Sequence, residues 1–494
     1  MANAFASFLL DLPSSFNRAL SPFFPTRRQS WFFFYGTDKW QISRKLTLDA
    51  GLRWELWPTT HTAFTGQFVD YDPSANSLLV GGYGNTTANL GINPDLRAWV
   101  PRIGLAYRLN EKTVIRSGFG TSYLWRTTGV ANYPATIAPT YNAPNSYSAA
   151  GSMATGFPPR PFVPIPSNGI IPNAPVSLSY SIADKDPHHQ YLESYNFAVQ
   201  RQLPGGFSLD AAYVGNHGVN FRESQDLNRG MIIGAGAAGQ PFFPTLGKTT
   251  SISSTYVYVT SRYNALQVRV NRRLNHGLTT ITAYTWGHGL DYNNDSSAFN
   301  FYTFRANYSS GDYDHRHSFV QSFTYQLPFG PQAHWAHSGV VSWIVGGWQI
   351  NGVFSAISGS PIDVTVSATS LNTPTAKNRP NQVKTDVATL GGVGNGSLWF
   401  DTSAFAAPPA LTFGNVGRNT VVGPGLVNLD GSLFRRFPIR ERTSLDFRFE
   451  TFNTTNHPHF ANPGGTFGTS SFGVVTQTVA FDSRGVQFGA KLTF

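Results

Sequence analysis

Hydrophobic and polar positions alternate with period two in segment after segment of this chain. In LTLDAGLRWELW, Leu46, Leu48, Ala50, Leu52, Trp54 and Leu56 share one side; Thr47, Asp49, Gly51, Arg53 and Glu55 share the other. In NALQVRVNRRL, Leu266, Val268, Val270 and Leu274 oppose Gln267, Arg269, Asn271 and Arg273. In SFVQSFTYQLPFG, Phe319, Phe323, Tyr325 and Leu327 oppose Ser322, Thr324 and Gln326, and in TSLDFRFETFN, Leu445, Phe447 and Phe449 oppose Asp446, Arg448 and Glu450. Such alternation predicts strands with one apolar and one wet face. The final stretch, RGVQFGAKLTF, alternates to its end, placing Val486, Phe488, Ala490, Leu492 and Phe494 together. Chain ends are usually frayed and polar, so this terminal strand reads as one that is held.

The pattern predicts strands over roughly 28–42, 45–57, 99–109, 112–125, 190–203, 206–216, 261–274, 277–289, 318–328, 346–359, 427–437, 442–453 and 484–494. Short turns join one set of ends: SRK at 43–45, NEK at 110–112, PGG at 204–206, NHG at 275–277 and PIRE at 438–441. Long connections rich in Pro, Gly, Asn, Ser and Thr join the other set, over about 58–98, 126–189, 217–260, 290–317, 360–426 and 454–483. Short turns at one rim and long loops at the other are the pattern of an outer-membrane β-barrel. The expected fold is therefore all-β, a transmembrane antiparallel barrel of about 13–14 strands with long extracellular loops. Trp31, Trp54, Trp57, Tyr123, Trp125, Trp286 and Trp348 fall near strand ends, where interfacial aromatic girdles sit.

Composition agrees. Only 13 % of the residues are charged while 14 % are aromatic, yet mean hydropathy is −0.20. No apolar run approaches the ~18 residues of a spanning helix, and alternation hides lipid-facing residues from such averages. The net charge of +10 raises a nucleic-acid reading. The basic residues are scattered with no run or helix to concentrate them, so no nucleic-acid partner is expected. Cysteine is absent, which excludes disulfides and thiolate metal sites.

Candidate chemistry is sparse. GAGAAG at 234–239 matches a dinucleotide fingerprint formally, but Pro241 and Pro244 come directly after it and no helix is expected there. The histidine pairs His188/His189, His315/His317, His334/His337 and His457/His459 lie in or beside loops and are read as structural. No catalytic, cofactor or metal residue is assigned, and no enzyme is expected. The polar-face charges Arg53, Glu55, Arg116, Arg269, Arg448 and Glu450, with Asp210, Arg273 and Asp446, are the candidates for the lumen wall.

Seven stretches in order carry a family resemblance: LTLDAGLRWE, YNFAVQRQLPGGFSLDAAYVGNHG, RYNALQVRVNRRLNHGLTTITAYTWGHGLD, DYDHRHSFVQSFTYQLPFG, IVGGWQINGVFSAISGSPIDV, TFGNVGRNTVVGPGLVNLDGSLFRRF and FETFNTTNHPHF. Together they resemble the barrel of Oar-like TonB-dependent receptors of the acidobacterial type. The resemblance implies energised uptake of a bulky substrate across the outer membrane. It also implies several partners: outer-membrane lipids, the assembly machinery, an extracellular ligand of unknown identity, and a plug domain and TonB. The terminal residues Phe488, Leu492 and Phe494 then resemble the signal read by that machinery, and the charged wall would line the lumen and hold the plug. Residues 1–27 read as a lead-in with room for one strand and 28–494 as barrel. No plug is recognised, and MANAFASFLLDLPSSF does not read as a signal peptide, since it has no basic start and Asp11 interrupts its apolar stretch. Barrels of plugged transporters have about 22 strands, so the expectation is the C-terminal portion of a receptor, or a chain begun at an internal Met. The alternative is a surface, adhesion or passive-pore barrel without transport coupling.

Overall fold

The computed structural model describes residues 2–17, 26–124, 131–132, 140–145, 147–154, 156, 164–275, 277–292, 301–331, 335–394, 396–440, 442–479 and 483–494. Trp125 and His334 lie outside the described residues.

Thirteen strands form one sheet: β1 (Phe32–Gln41), β2 (Leu46–Leu56), β3 (Trp99–Asn110), β4 (Thr113–Leu124), β5 (Gln190–Leu203), β6 (Phe207–Asp226), β7 (Ile252–Asn275), β8 (Leu278–Asp291), β9 (His317–Gln326), β10 (Trp348–Ile357), β11 (Leu426–Arg440), β12 (Thr443–Phe452) and β13 (Gly485–Thr493). Each lies beside its neighbours in the chain, an up-and-down antiparallel meander. Short strands Tyr180–Ile182 and Ser309–Ser310 add to β7 and β8 at the long-loop end. Among the described residues β1 and β13 have one neighbour each and form the two edges. Helix α1 (Ala2–Leu9) and a short strand, Ser15–Asn17, which pairs with Thr140–Asn142, precede the sheet.

The alternation becomes rungs. Leu278, Tyr325, Ile350, Leu433, Phe449 and Phe488 are successive partners across β8 to β13. One residue along, Thr279, Thr324, Asn351, Ser432, Glu450 and Gln487 form the next rung, on the opposite face. The apolar face is not covered by protein: Leu52, Ile103, Phe197 and Trp286 are exposed, and Phe488 retains 70 % of its surface. A soluble monomer does not leave apolar surface of this extent in water; it belongs against hydrocarbon.

Polar groups on the apolar face satisfy one another. Thr282 Oγ1 donates to Gln321 Oε1 at 2.8 Å, directly across the β8–β9 pair. Tyr195 and Tyr213 both donate through their hydroxyls to Asn264 Oδ1 at 2.8 Å. The Tyr195 ring lies where a side chain on Gly215 would project, so only glycine fits beneath it. The polar face is less strict, since Ile281 and Val353 also lie on it.

Three features depart from the sequence reading. Strands β6 and β7 run about ten residues further toward the long loops than the alternation predicts. Bulges between Gly218 and Phe221 and between Glu223 and Gln225 shift the period, and Asn220 takes a left-handed φ of 56°, so one face no longer reads as every second residue. In addition, the β9–β10 connection at the short-turn rim spans 327–347 and carries helix α3 (Gly339–Val345). A single helical turn, α2 (Phe243–Leu246), also comes after the GAGAAG stretch, where the sequence predicts no helix; Pro244 sits in its first turn, the position a helix tolerates.

The buried apolar clusters lie at the long-loop end rather than on the faces of the sheet. One gathers Val69, Tyr71, Leu78, Val80, Tyr180 and Ile252; another gathers Ile362, Val364, Phe400, Phe405, Val421 and Phe472. Apart from Ile252 at the start of β7, their residues come from different long connections, so these form two cored caps.

Candidate functional site

The wall comes first. Arg53, Glu55, Arg116, Arg269, Arg448 and Glu450 all fall on the polar face when register is traced from β2 to β12. They do not converge. Arg53 pairs with the fully buried Glu55 and lies 5.0 Å from the Phe33 ring centroid. Glu55 also accepts from Trp57 Nε1 at 2.9 Å. Arg116 and Arg269 are exposed, Arg269 donating to Asn271 Oδ1 at 3.0 Å. Arg448 lies 5.2 Å from the Phe434 ring centroid, and Glu450 stands between Ser432 and Gln487. Asp210 accepts from Gln200 at 2.7 Å, Asp446 sits 3.7 Å from Arg436, and Arg273 lies in β7 with its side chain outside the described residues. In β9–β11, Thr324 donates to Asn351 at 3.0 Å and Asn351 to Ser432 at 3.1 Å. A hollow of about 310 Å³ lies against this rung, lined by Thr324, Asn351, Ser432 and Glu450 among others.

Above the wall the caps are pinned by buried charge. Lys248 is fully buried; its Nζ donates to the carbonyls of Val176 and Leu178 and to Thr250, and lies 4.5 Å from the Tyr180 ring centroid. Tyr180 stacks on Tyr71 at 4.3 Å. Burial pushes the Lys248 ammonium down to about 8, against a smaller upward pull from Asp226. Burial alone would raise Asp95, but hydrogen bonds from Arg97 and His189 outweigh it and hold the carboxyl well below the usual range. His189 in turn packs edge-on against Trp57 and Tyr123, joining this group to Glu55 at the top of the wall.

The second cap is held by arginines. Arg379 makes a two-pronged pair with Asp363 at 2.8 and 3.0 Å. Arg418, almost wholly buried, binds Asp291 at the end of β8 and donates to the Ser310 carbonyl at 2.8 Å. The caps are joined, because Gly230 N–H donates to Pro374 and Gly234 N–H to Leu371, both at 3.0 Å. In the sequence these loops read as featureless, and Lys248, Asp95, Arg379 and Arg418 do not stand out. One signal is present: FVDYDPSANSLLV forms a hairpin from Phe68–Asp72 and Ser77–Val80. Because both its faces are buried, the alternation that marks the wall strands is blurred there.

The aromatic residues near strand ends divide. Trp54 stacks between Phe34 and Trp99 on the apolar face, and Trp286 is exposed there. Trp31 stacks on Trp57, on the polar-face side by the His189 group. Trp348 lies at the short-turn rim against Phe437 and Phe447. Of the paired histidines, His317 meets the Tyr284 hydroxyl at 2.8 Å, His315 the Ser358 carbonyl at 2.6 Å and His459 the Val427 carbonyl at 3.1 Å. Among the described residues no three His, Asp or Glu side chains converge as metal ligands. Phe488 and Leu492 lie exposed on the apolar face of β13, and Phe494, just past its end, is fully open.

A family model described as outer membrane beta barrel domain matches residues 1–487. No curated protein matches this chain. Similar solved structures include the ferripyoverdine receptor of the outer membrane of Pseudomonas aeruginosa, at 10 % identity and TM-score 0.46, covering 95 % of this chain and 39 % of that one. The ferric-catecholate import receptor Fiu from K12 E. coli matches at 13 % identity and TM-score 0.44, covering 95 % and 45 %. The copper transporter OprC matches at 11 % identity and TM-score 0.42, covering 94 % and 48 %. The chain thus spans less than half the length of these three structures.

Proposed function

The chain belongs to the outer membrane β-barrel domain family, and from that premise we propose that it forms the wall and outer loops of a TonB-dependent receptor of the Oar-like type. The activity is energised uptake of a bulky substrate. The observation that carries this reading is the pair of interlocked caps. Loops that only join strands do not need buried cores, and here Lys248, Arg379 and Arg418 are desolvated and paired to hold them. Ordering loops to this degree suits a preorganised capture surface. Beneath it, the polar rung and the spaced charges of Arg116, Arg269, Arg448 and Glu450 supply a wet wall against which a plug would rest and past which a hydrated substrate would move. Phe488, Leu492 and Phe494 present the terminal strand to the assembly machinery.

The test is deletion of the gene in its own organism, complemented by the wild-type gene. Cells are grown with ferric siderophores, copper, oligosaccharides or peptides as the limiting nutrient. The expected result is loss of growth on one class, restored by the gene and abolished again when TonB is inactivated. Restored uptake that persists without TonB would make the protein a passive pore. Full growth on every class with loss of surface attachment would make it an adhesion barrel.

A further inference from the structure

Five of the six connections at the short-turn rim are tight; the β9–β10 connection is not. It places α3, with the sequence GVVSWIV, against the end of β11. Val340, Val341, Trp343 and Ile344 are 73 %, 61 %, 63 % and 54 % exposed, while Ser342 is buried. A helix of seven residues does not persist alone in water, so its contacts matter. Arg435 donates to the carbonyls of Trp343 and Ile344 at the helix C-terminus, where a cation also complements the helix dipole. Trp348 Nε1 donates to the same Ile344 carbonyl at 3.0 Å. The Arg435 guanidinium lies 4.0 Å from the Phe437 ring centroid and 5.4 Å from that of Trp348.

By register, Arg435 stands on the apolar face, opposite Trp348 and Phe447. A lone arginine there would meet lipid; the helix and the aromatic rings cover it, and it is buried. The apolar side of α3 therefore continues the lipid-facing surface rather than turning to water, and Trp343 is joined to that surface through Phe437 at 5.9 Å. Beside it the β11–β12 hairpin adds Arg436, Arg440 and Arg442. Arg44, Lys45, Arg108, Lys112 and Arg201 are exposed at the other turns of the same rim. An apolar helix with tryptophan, flanked by a basic rim, fits the interfacial layer of a membrane with anionic headgroups.

We propose that α3 is an interfacial anchor, lying in the phospholipid leaflet at the short-turn rim with Val340, Val341 and Ile344 among the upper acyl carbons and Arg435 as the positioning residue that pins it to the barrel. The inference rests on the outer-membrane location of the chain and not on TonB coupling, so it survives failure of the transport reading.

The chain has no cysteine, so Val341→Cys carries a single environment-sensitive fluorophore in the protein expressed from its own gene and reconstituted in phosphatidylcholine–phosphatidylglycerol vesicles. Val340→Cys is the second position, and Glu111→Cys, in the β3–β4 turn, is the reference. Heat-modifiable migration on gels reports that each variant is folded. At both α3 positions the expected result is blue-shifted emission, quenched severalfold more by lipid spin-labelled near the headgroup than by aqueous iodide, with the reverse at Glu111→Cys. Arg435→Gln should move the α3 label toward iodide without loss of heat-modifiable folding. Iodide quenching equal to the reference would place α3 in water and overturn the proposal. Shielding from both quenchers would mean that a second copy or another protein covers it, which overturns it equally. Unchanged quenching in Arg435→Gln would remove the role given to that arginine.

Discussion

Phe449 and Phe488 meet directly across β12 and β13, their ring centroids 5.0 Å apart on the apolar face. The pair sits mid-strand, whereas Leu492 lies near the rim opposite Leu445. A cation on the lipid face costs about 2–4 kcal/mol at the midplane and about 0–1 near the interface. Phe488→Arg should therefore lower the yield of folded protein in outer membranes more than Leu492→Arg. Removing Phe494, which makes no strand pair, should also lower yield, because its proposed role is recognition rather than packing. Equal yields of all three and wild type, measured by heat-modifiable migration of membrane fractions, would contradict both points.

Orientation is set by the rims. Asn145 and Thr375 are exposed in the long loops, and Glu111 is exposed in a short turn. Cysteine at Asn145 or Thr375 should react with an impermeant maleimide on intact cells, and cysteine at Glu111 should react only after the outer membrane is permeabilised. The opposite pattern would invert the orientation.

The caps should open separately from the sheet. Phe400 is fully buried among Phe405 and Phe472, with ring centroids 5.9 and 5.3 Å away. Replacing a buried Phe by Ala costs about 3–5 kcal/mol. Phe400→Ala should make residues 360–426 sensitive to limited proteolysis while the heat-modifiable sheet is retained. Loss of the folded sheet instead would show that the cap and wall form one cooperative unit.

Lys248 makes the first cap pH-dependent. Its ammonium titrates near about 8 in the folded cap, below the ordinary lysine value, because of burial. Between these values the opened cap binds more protons than the closed one, so the closed cap gains stability as pH rises through that window. Amide protection factors at residues 176–180 should increase from about pH 8 to about pH 10. In Lys248→Met the dependence should disappear. Protection that falls over the same window in the wild type would contradict the assignment.

The wall is legible in the sequence because its faces meet opposite solvents. Leu52 and Arg53 sit one residue apart on opposite faces, and that contrast is written in every second residue. Legibility fails where the contrast fails. Beyond Gly218 the bulged part of β6 loses its period. In the hairpin of Val69 and Leu78 both faces are buried, and Asp70 is taken up by Lys185 and the Ala183 amide instead of by water. Arg53 and Glu55 read as separate wall charges, since sequence spacing does not say that they pair and reach His189 through Trp57. Arg435 escapes notice because an arginine near a turn reads as solvated; only the helix folded over it shows otherwise.

Because the first cap takes Tyr71, Tyr180 and Lys248 from three separate loops, and the second takes Phe400 and Phe472 from two, neither can close until the strands between them have paired in register. A slip of one residue in β5 or β6 would turn the wrong faces to lipid and also carry Tyr180 away from Tyr71. A mispaired barrel would leave Lys248 without the Val176 and Leu178 carbonyls that solvate it and Arg418 without the Asp291 carboxylate that pairs with it. Quality control could recognise such a chain by loops that remain open to proteases after the strands have inserted.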